Sequence, residues 1–101
     1  MGRRLELQSL LEQILGSKNV YFQPPSNIVL KFPCIIYNRE RFETTNADDI
    51  DYLTRTRYEV TVIDRDPESN IPRRVNEIPN CSHNRFFTND GLNHDVFELY
   101  F

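Results

Sequence analysis

The chain has 101 residues, 39% hydrophobic and 27% charged, with 12 basic against 15 acidic side chains and a formal net charge of −3. This length and mixture predict one folded domain, residues 1–101, with a modest core, and exclude global disorder. The acidic balance argues against a dedicated nucleic-acid binder, no run approaches the roughly 18 apolar residues of a membrane helix, and the N-terminus lacks a signal-peptide core, so a cytoplasmic protein is expected.

The first predicted element is a helix from Arg3 to Leu15, where Leu7, Leu10, Leu11, Ile14 and Leu15 recur at helical spacing before Gly16. Asn19 to Phe22 is a short β-prone run halted by Pro24 and Pro25, which cannot donate ladder hydrogen bonds. Phe32 to Phe42 starts apolar and turns alternating, as a strand leaving the core at its far end. Thr44 to Tyr52, with Asn46, Asp48, Asp49 and Asp51, has no period and reads as a loop or hairpin tip.

Leu53 to Asp64 gives the clearest strand, with Tyr58, Val60 and Val62 alternating against Arg57, Glu59 and Thr61. From Asp66 to Asn80 the period changes. Ile71, Val75 and Ile78 predict a short helix, capped by Ser69 or Asn70, with Pro72 in its first turn and Pro79 ending it. Cys81 to Phe87 and Leu92 to Phe101 then form a hairpin around Asn89-Asp90-Gly91, whose residues tolerate positive φ. The predicted class is α+β: a mostly antiparallel sheet with the helices on one face.

Candidate chemistry is sparse. Cys34, Cys81, His83 and His94 form a possible metal set, but the spacing is not that of a zinc site, so free thiols without metal are expected. A single bridge between the two cysteines is conceivable, yet a disulfide scaffold carries more of them. His94 and Asp95, with Cys81 as nucleophile, suggest a dyad, but neighbours on a strand point to opposite faces. Asp48, Asp49 and Asp51, or Asp64 with Asp66, lack the ordered ligand series and central glycine of a calcium loop. No catalytic, cofactor or metal residue is therefore predicted.

The basic residues are nearly all arginine, with only Lys18 and Lys31 as exceptions, and arginine is enriched at protein interfaces where lysine is depleted. Arg55 and Arg57 on the polar face of the best strand, with Asp48, Asp49 and Asp51 in the preceding loop, are the subunit-interface candidates: one copy's basic ridge would meet the next copy's acidic loop.

The order of parts resembles the small tail terminator, or tail completion, proteins of long-tailed bacteriophages and prophages. The likeness runs through Asn19-Val20-Tyr21-Phe22-Gln23-Pro24-Pro25, Phe32-Pro33-Cys34-Ile35-Ile36-Tyr37, Tyr58-Glu59-Val60-Thr61-Val62-Ile63-Asp64, Arg85-Phe86-Phe87-Thr88 and His94-Asp95-Val96-Phe97. It implies a non-enzymatic virion assembly subunit forming a homo-hexameric ring. That ring would cap the finished tail tube and later meet the head connector, with DNA only as cargo passing through. The expected location is the virion tail, and the host cytoplasm during assembly. The alternatives are a connector or stopper component, a small nucleic-acid-binding regulatory domain seated on Arg39, Arg41, Arg55 and Arg57, and a small metal-dependent enzyme.

Overall fold

The computed structural model describes residues 3–47 and 50–101, with side chains described outside 41–55. Its elements are α1 (Arg4–Leu15), β1 (Val20–Phe22), β2 (Cys34–Ala47), β3 (Ile50–Asp64), α2 (Ile71–Asn76), β4 (Cys81–Asn89) and β5 (Leu92–Tyr100). The fold is α+β, a five-stranded sheet in the order β1-β2-β3-β5-β4. Only β1 and β2 run parallel; the other pairs are antiparallel.

The first helix buries Leu7, Leu11 and Ile14 and ends on Gly16 at φ 81°, whose N–H bonds to the Glu12 carbonyl. Glycine reaches this left-handed cap without a Cβ penalty. The second helix starts where its apolar period does, at Ile71, and closes at Asn76 before Ile78. Asp66 Oδ1 accepts from the Glu68 amide and Ser69 Oγ accepts from the Ile71 amide, so these residues turn the chain before the helix starts. Ile78 lies past the helix yet remains buried with Val75.

Both helices contribute to one core cluster on one face of the sheet, with Ile35, Tyr37, Tyr58, Val60, Val62, Phe97 and Leu99. The register lines up Phe22, Tyr37, Val60, Phe97 and His83 as one row across all five strands. Phe22 and Tyr37 ring centroids lie 4.9 Å apart, and His83 meets the Phe97 ring edge-on at 5.1 Å. Tyr37 also latches α1 to the sheet: its hydroxyl donates to Gln8 Oε1 at 2.5 Å and accepts from Arg4 Nη1 at 3.3 Å. Burial, ahead of the opposing Arg4 contact, raises the Tyr37 pKa above its ordinary value.

The segment from Thr44 to Tyr52 is not an irregular loop on either side of its tip. Strand β2 continues to Ala47 and β3 begins at Ile50, with Thr44 opposite Thr54 and Ala47 opposite Ile50. Cross-strand pairing supplies the order that the sequence pattern lacks. This hairpin outruns the rest of the sheet, since β5 pairs with β3 only over Arg57–Asp64 and β1 with β2 only over Ile35–Tyr37. A strand of 15 residues spans about 50 Å at ~3.3 Å per residue, which accounts for the molecule's 50 × 25 × 22 Å extents.

Val60 sits at the middle of the five-strand row and is fully buried. Val60→Asp leaves an uncompensated charge there and should destabilise by more than about 4 kcal/mol, read as loss of soluble protein. Tyr37→Phe keeps the ring but strands Gln8 and Arg4. It should cost about 1 kcal/mol in urea unfolding with an unchanged m value.

Candidate functional site

The predicted interface residues divide into three groups. Asp48 and Asp49 lie outside the described residues. Asp51 and Arg55 lie on β3 within the projecting hairpin, at register positions opposite Asn46 and Glu43 respectively. Arg57 stands at its base, where the β3–β5 pairing begins opposite Tyr100.

Within its own chain Arg57, expected from the sequence to face a neighbouring subunit, is engaged by two carboxylates. Its Nη2 donates to Glu98 Oε1, and its Nε lies 3.1 Å from Glu40 Oε1. The Nε contact is coulombic, because that nitrogen has no partner at hydrogen-bonding geometry. Two sheet irregularities assemble this cluster. Glu40 is the extra residue where the β2–β3 register shifts between Arg39 and Arg41. Asn84 is the extra residue where the β4–β5 register shifts between His83 and Arg85, and its Nδ2 donates to Glu98 Oε1 at 3.3 Å. Bulges re-aim side chains in this way.

The cluster answers an electrostatic problem in the sheet, where Glu59 and Glu98 stand directly opposite each other on β3 and β5. Like charges so placed repel, and Arg57 offsets them from two residues along. Partial burial works against the guanidinium charge, but Glu40 and Glu98 outweigh it and hold the pKa of Arg57 above the ordinary arginine value.

The sheet separates the residues of the conjectured metal set. Cys81 and His83 align with Leu99 and Phe97 on the helix-covered face, whereas Cys34 and His94 align with Ile63 on the other. No group of three or more candidate metal ligands occurs among the described residues. His94 and Asp95 do point apart. His94 stacks on Phe87 at 4.6 Å with its Nδ1 3.2 Å from the Leu92 carbonyl oxygen, while Asp95 Oδ1 lies 3.1 Å from His83 Nε2. His83 also borders an open groove of about 290 Å³ with Pro72, Arg73, Asn76 and Phe97.

Both cysteines are free. They lie on strands separated by β3 and β5, about 14 Å apart by strand spacing alone, too far for a disulfide. Burial raises the thiol pKa of both to about 11; a coulombic contribution from Asp64 adds to it at Cys34.

Sequence reasoning missed Glu40, Asn84 and Glu98, and the only signal for Glu98 was its polar position on an alternating strand. Among the described residues no helix is long and apolar enough to cross a membrane. Comparison with protein-family models, with curated proteins and with solved structures gives no match.

Arg57→Glu would gather four carboxylates, Glu98 included, in one cluster and should lower the melting temperature, most at low salt. A second change, Glu98→Lys, should recover part of the loss; thermal unfolding of the two single variants and the double variant measures the coupling. For the thiols, a folded pKa of about 11 against an ordinary value of 9.0 means a contribution to stability that is complete below pH 9 and is lost as pH rises through about 11. Alkylation at pH 8 should therefore be slow in the native protein, and two thiols should titrate after denaturation.

Proposed function

We propose that this chain is a ring-forming virion assembly subunit of the tail-terminator type, which caps a phage tail tube and presents a joining surface to the head connector. The observation that carries the reading is the β2–β3 hairpin projecting beyond the sheet from about Phe42 and Thr56 outward. A two-stranded ribbon is marginal in water unless a further strand or a packed surface supports it. A neighbouring subunit in a closed ring supplies that support through a heterologous contact, which leaves no copy with an uncovered arm.

Charge placement refines the reading. Arg57 is held by Glu40 and Glu98 inside its own chain, which leaves Arg55 as the basic candidate of that ridge for a neighbour's acidic residues. The same pairing weakens the nucleic-acid alternative, because a neutralised arginine releases no phosphate counterions.

Native mass measurement and electron microscopy should reveal rings, and purified protein added to growing tail tubes should arrest their elongation. Replacing residues 43–55 by a two-residue turn, which keeps Phe42 opposite Thr56, should leave a folded monomer that neither closes into rings nor stops tube growth. A full-length chain that stays monomeric and leaves tube length unchanged overturns the proposal.

A further inference from the structure

The sheet's outer strand β4 is open to solvent along almost its whole length: every residue from Ser82 to Asn89 is exposed, Phe86 and Phe87 among them. From Arg85 to Asn89 its register against β5 is regular. Long edges of this kind are normally blunted by lysine, proline or a bulge. Here the bulge lies upstream, between His83 and Arg85, and the regular stretch contains neither lysine nor proline.

The turn fixes which amides face outward. Asn89 pairs with Leu92 across a two-residue turn in which Asp90 and Gly91 have φ of 53° and 74°, the signature of a type I′ hairpin. In such a hairpin the residues flanking the turn form a hydrogen-bonded pair, and alternation along the ladder then directs Asn89, Phe87 and Arg85 toward β5. The backbone N–H and C=O groups of Phe86 and Thr88 point out from the sheet.

We propose that this edge pairs antiparallel with the same edge of a second copy, around a two-fold axis at Phe87. In that register Phe87 faces Phe87, Phe86 faces Thr88 and Arg85 faces Asn89. The outward groups of Phe86 and Thr88 in each copy make four hydrogen bonds, all within the regular stretch. Arg85, the only charged residue of that stretch, meets no like charge and lies diagonal to the other copy's Phe87. Its guanidinium already sits 5.8 Å from the Phe87 ring within its own chain. Other registers serve less well. Centring on Arg85 opposes two guanidinium groups, and centring on Phe86 draws the bulge residue Asn84 into the ladder. Five residues a side fall short of the roughly 20–30 per partner of a standard interface, so the pair forms reversibly and with concentration. The contact closes at two copies, is distinct from the heterologous contact of a ring, and stands or falls without it.

Single cysteine variants test the register. A non-hydrogen-bonded pair holds its Cα atoms about 4.5 Å apart, within the roughly 4.4–6.8 Å that a disulfide spans. Under mild oxidation Phe87→Cys should therefore cross-link to itself. Phe86→Cys alone should not, whereas a mixture of Phe86→Cys and Thr88→Cys should give the mixed dimer. Thr88→Pro removes an outward N–H while sparing the ladder to β5. It should raise the concentration at which the parent dimerises by about tenfold or more, one lost pair of bonds at ~1.4 kcal/mol per decade, with the melting temperature of the dilute monomer unchanged. A parent that is monomeric up to about 1 mM, or a dimer indifferent to Thr88→Pro, overturns the proposal. So does equal self-cross-linking at positions 86 and 87. A silent Phe87→Cys in a chain that forms larger assemblies assigns the edge to another occupant and also overturns it.

Discussion

The structure depends on the packing of one row of side chains, Phe22, Tyr37, Val60, Phe97 and His83, which crosses all five strands under the two helices. Tyr37, Val60 and Phe97 at its centre are almost wholly buried, and a register slip of one residue in β3 would replace Val60 by Glu59 or Thr61. Each fully buried side chain of this size contributes on the order of 1.5–3 kcal/mol of burial. Tyr37 joins this row to α1 through its hydroxyl, so the position of the helix and the register of the sheet are fixed together.

The opposite face follows other rules. Cys34, Ile63 and Val96 are buried there without joining the main cluster, and toward the hairpin the face becomes ionic. Two bulges on non-adjacent strands carry Glu40 and Asn84 to Arg57 and Glu98. The arginine thereby neutralises carboxylates that the ladder forces into proximity, at the point where the five-stranded sheet narrows to two strands. A charge cluster placed there ties the root of the hairpin to β5, whose last residues also reach across the sheet: the Phe101 amide donates to the Thr56 carbonyl at 3.1 Å.

The two proposed contacts rest on two features: a hairpin that leaves the sheet, and an edge strand with outward amides and two exposed phenylalanines. They lie on different strands and demand different geometry. The hairpin is assigned a heterologous contact in the proposed ring, and the β4 edge an isologous one because its regular stretch can pair with itself around Phe87 without opposing like charges. For a chain of this size, with limited core per unit of surface, association is the general means of covering such elements.

Much of the architecture was legible in the sequence. The leucine period of α1, the alternation through Tyr58, Val60 and Val62, and Asn89-Asp90-Gly91 are local signals whose physics acts within one element. They determined the element order, the α+β class and the helix-covered face. The segment between Thr44 and Tyr52 was legible only as a loop or a hairpin tip, and the choice of the hairpin comes from residues paired across strands rather than from a pattern along one. The bulges at Glu40 and Asn84 were not legible, because a bulge is a mismatch between two strands and neither strand records it alone. Tertiary structure therefore decided the fate of Arg57: a polar residue on an alternating strand is free or engaged according to what its neighbours bring, and here two bulged strands bring a carboxylate and an amide to the same place.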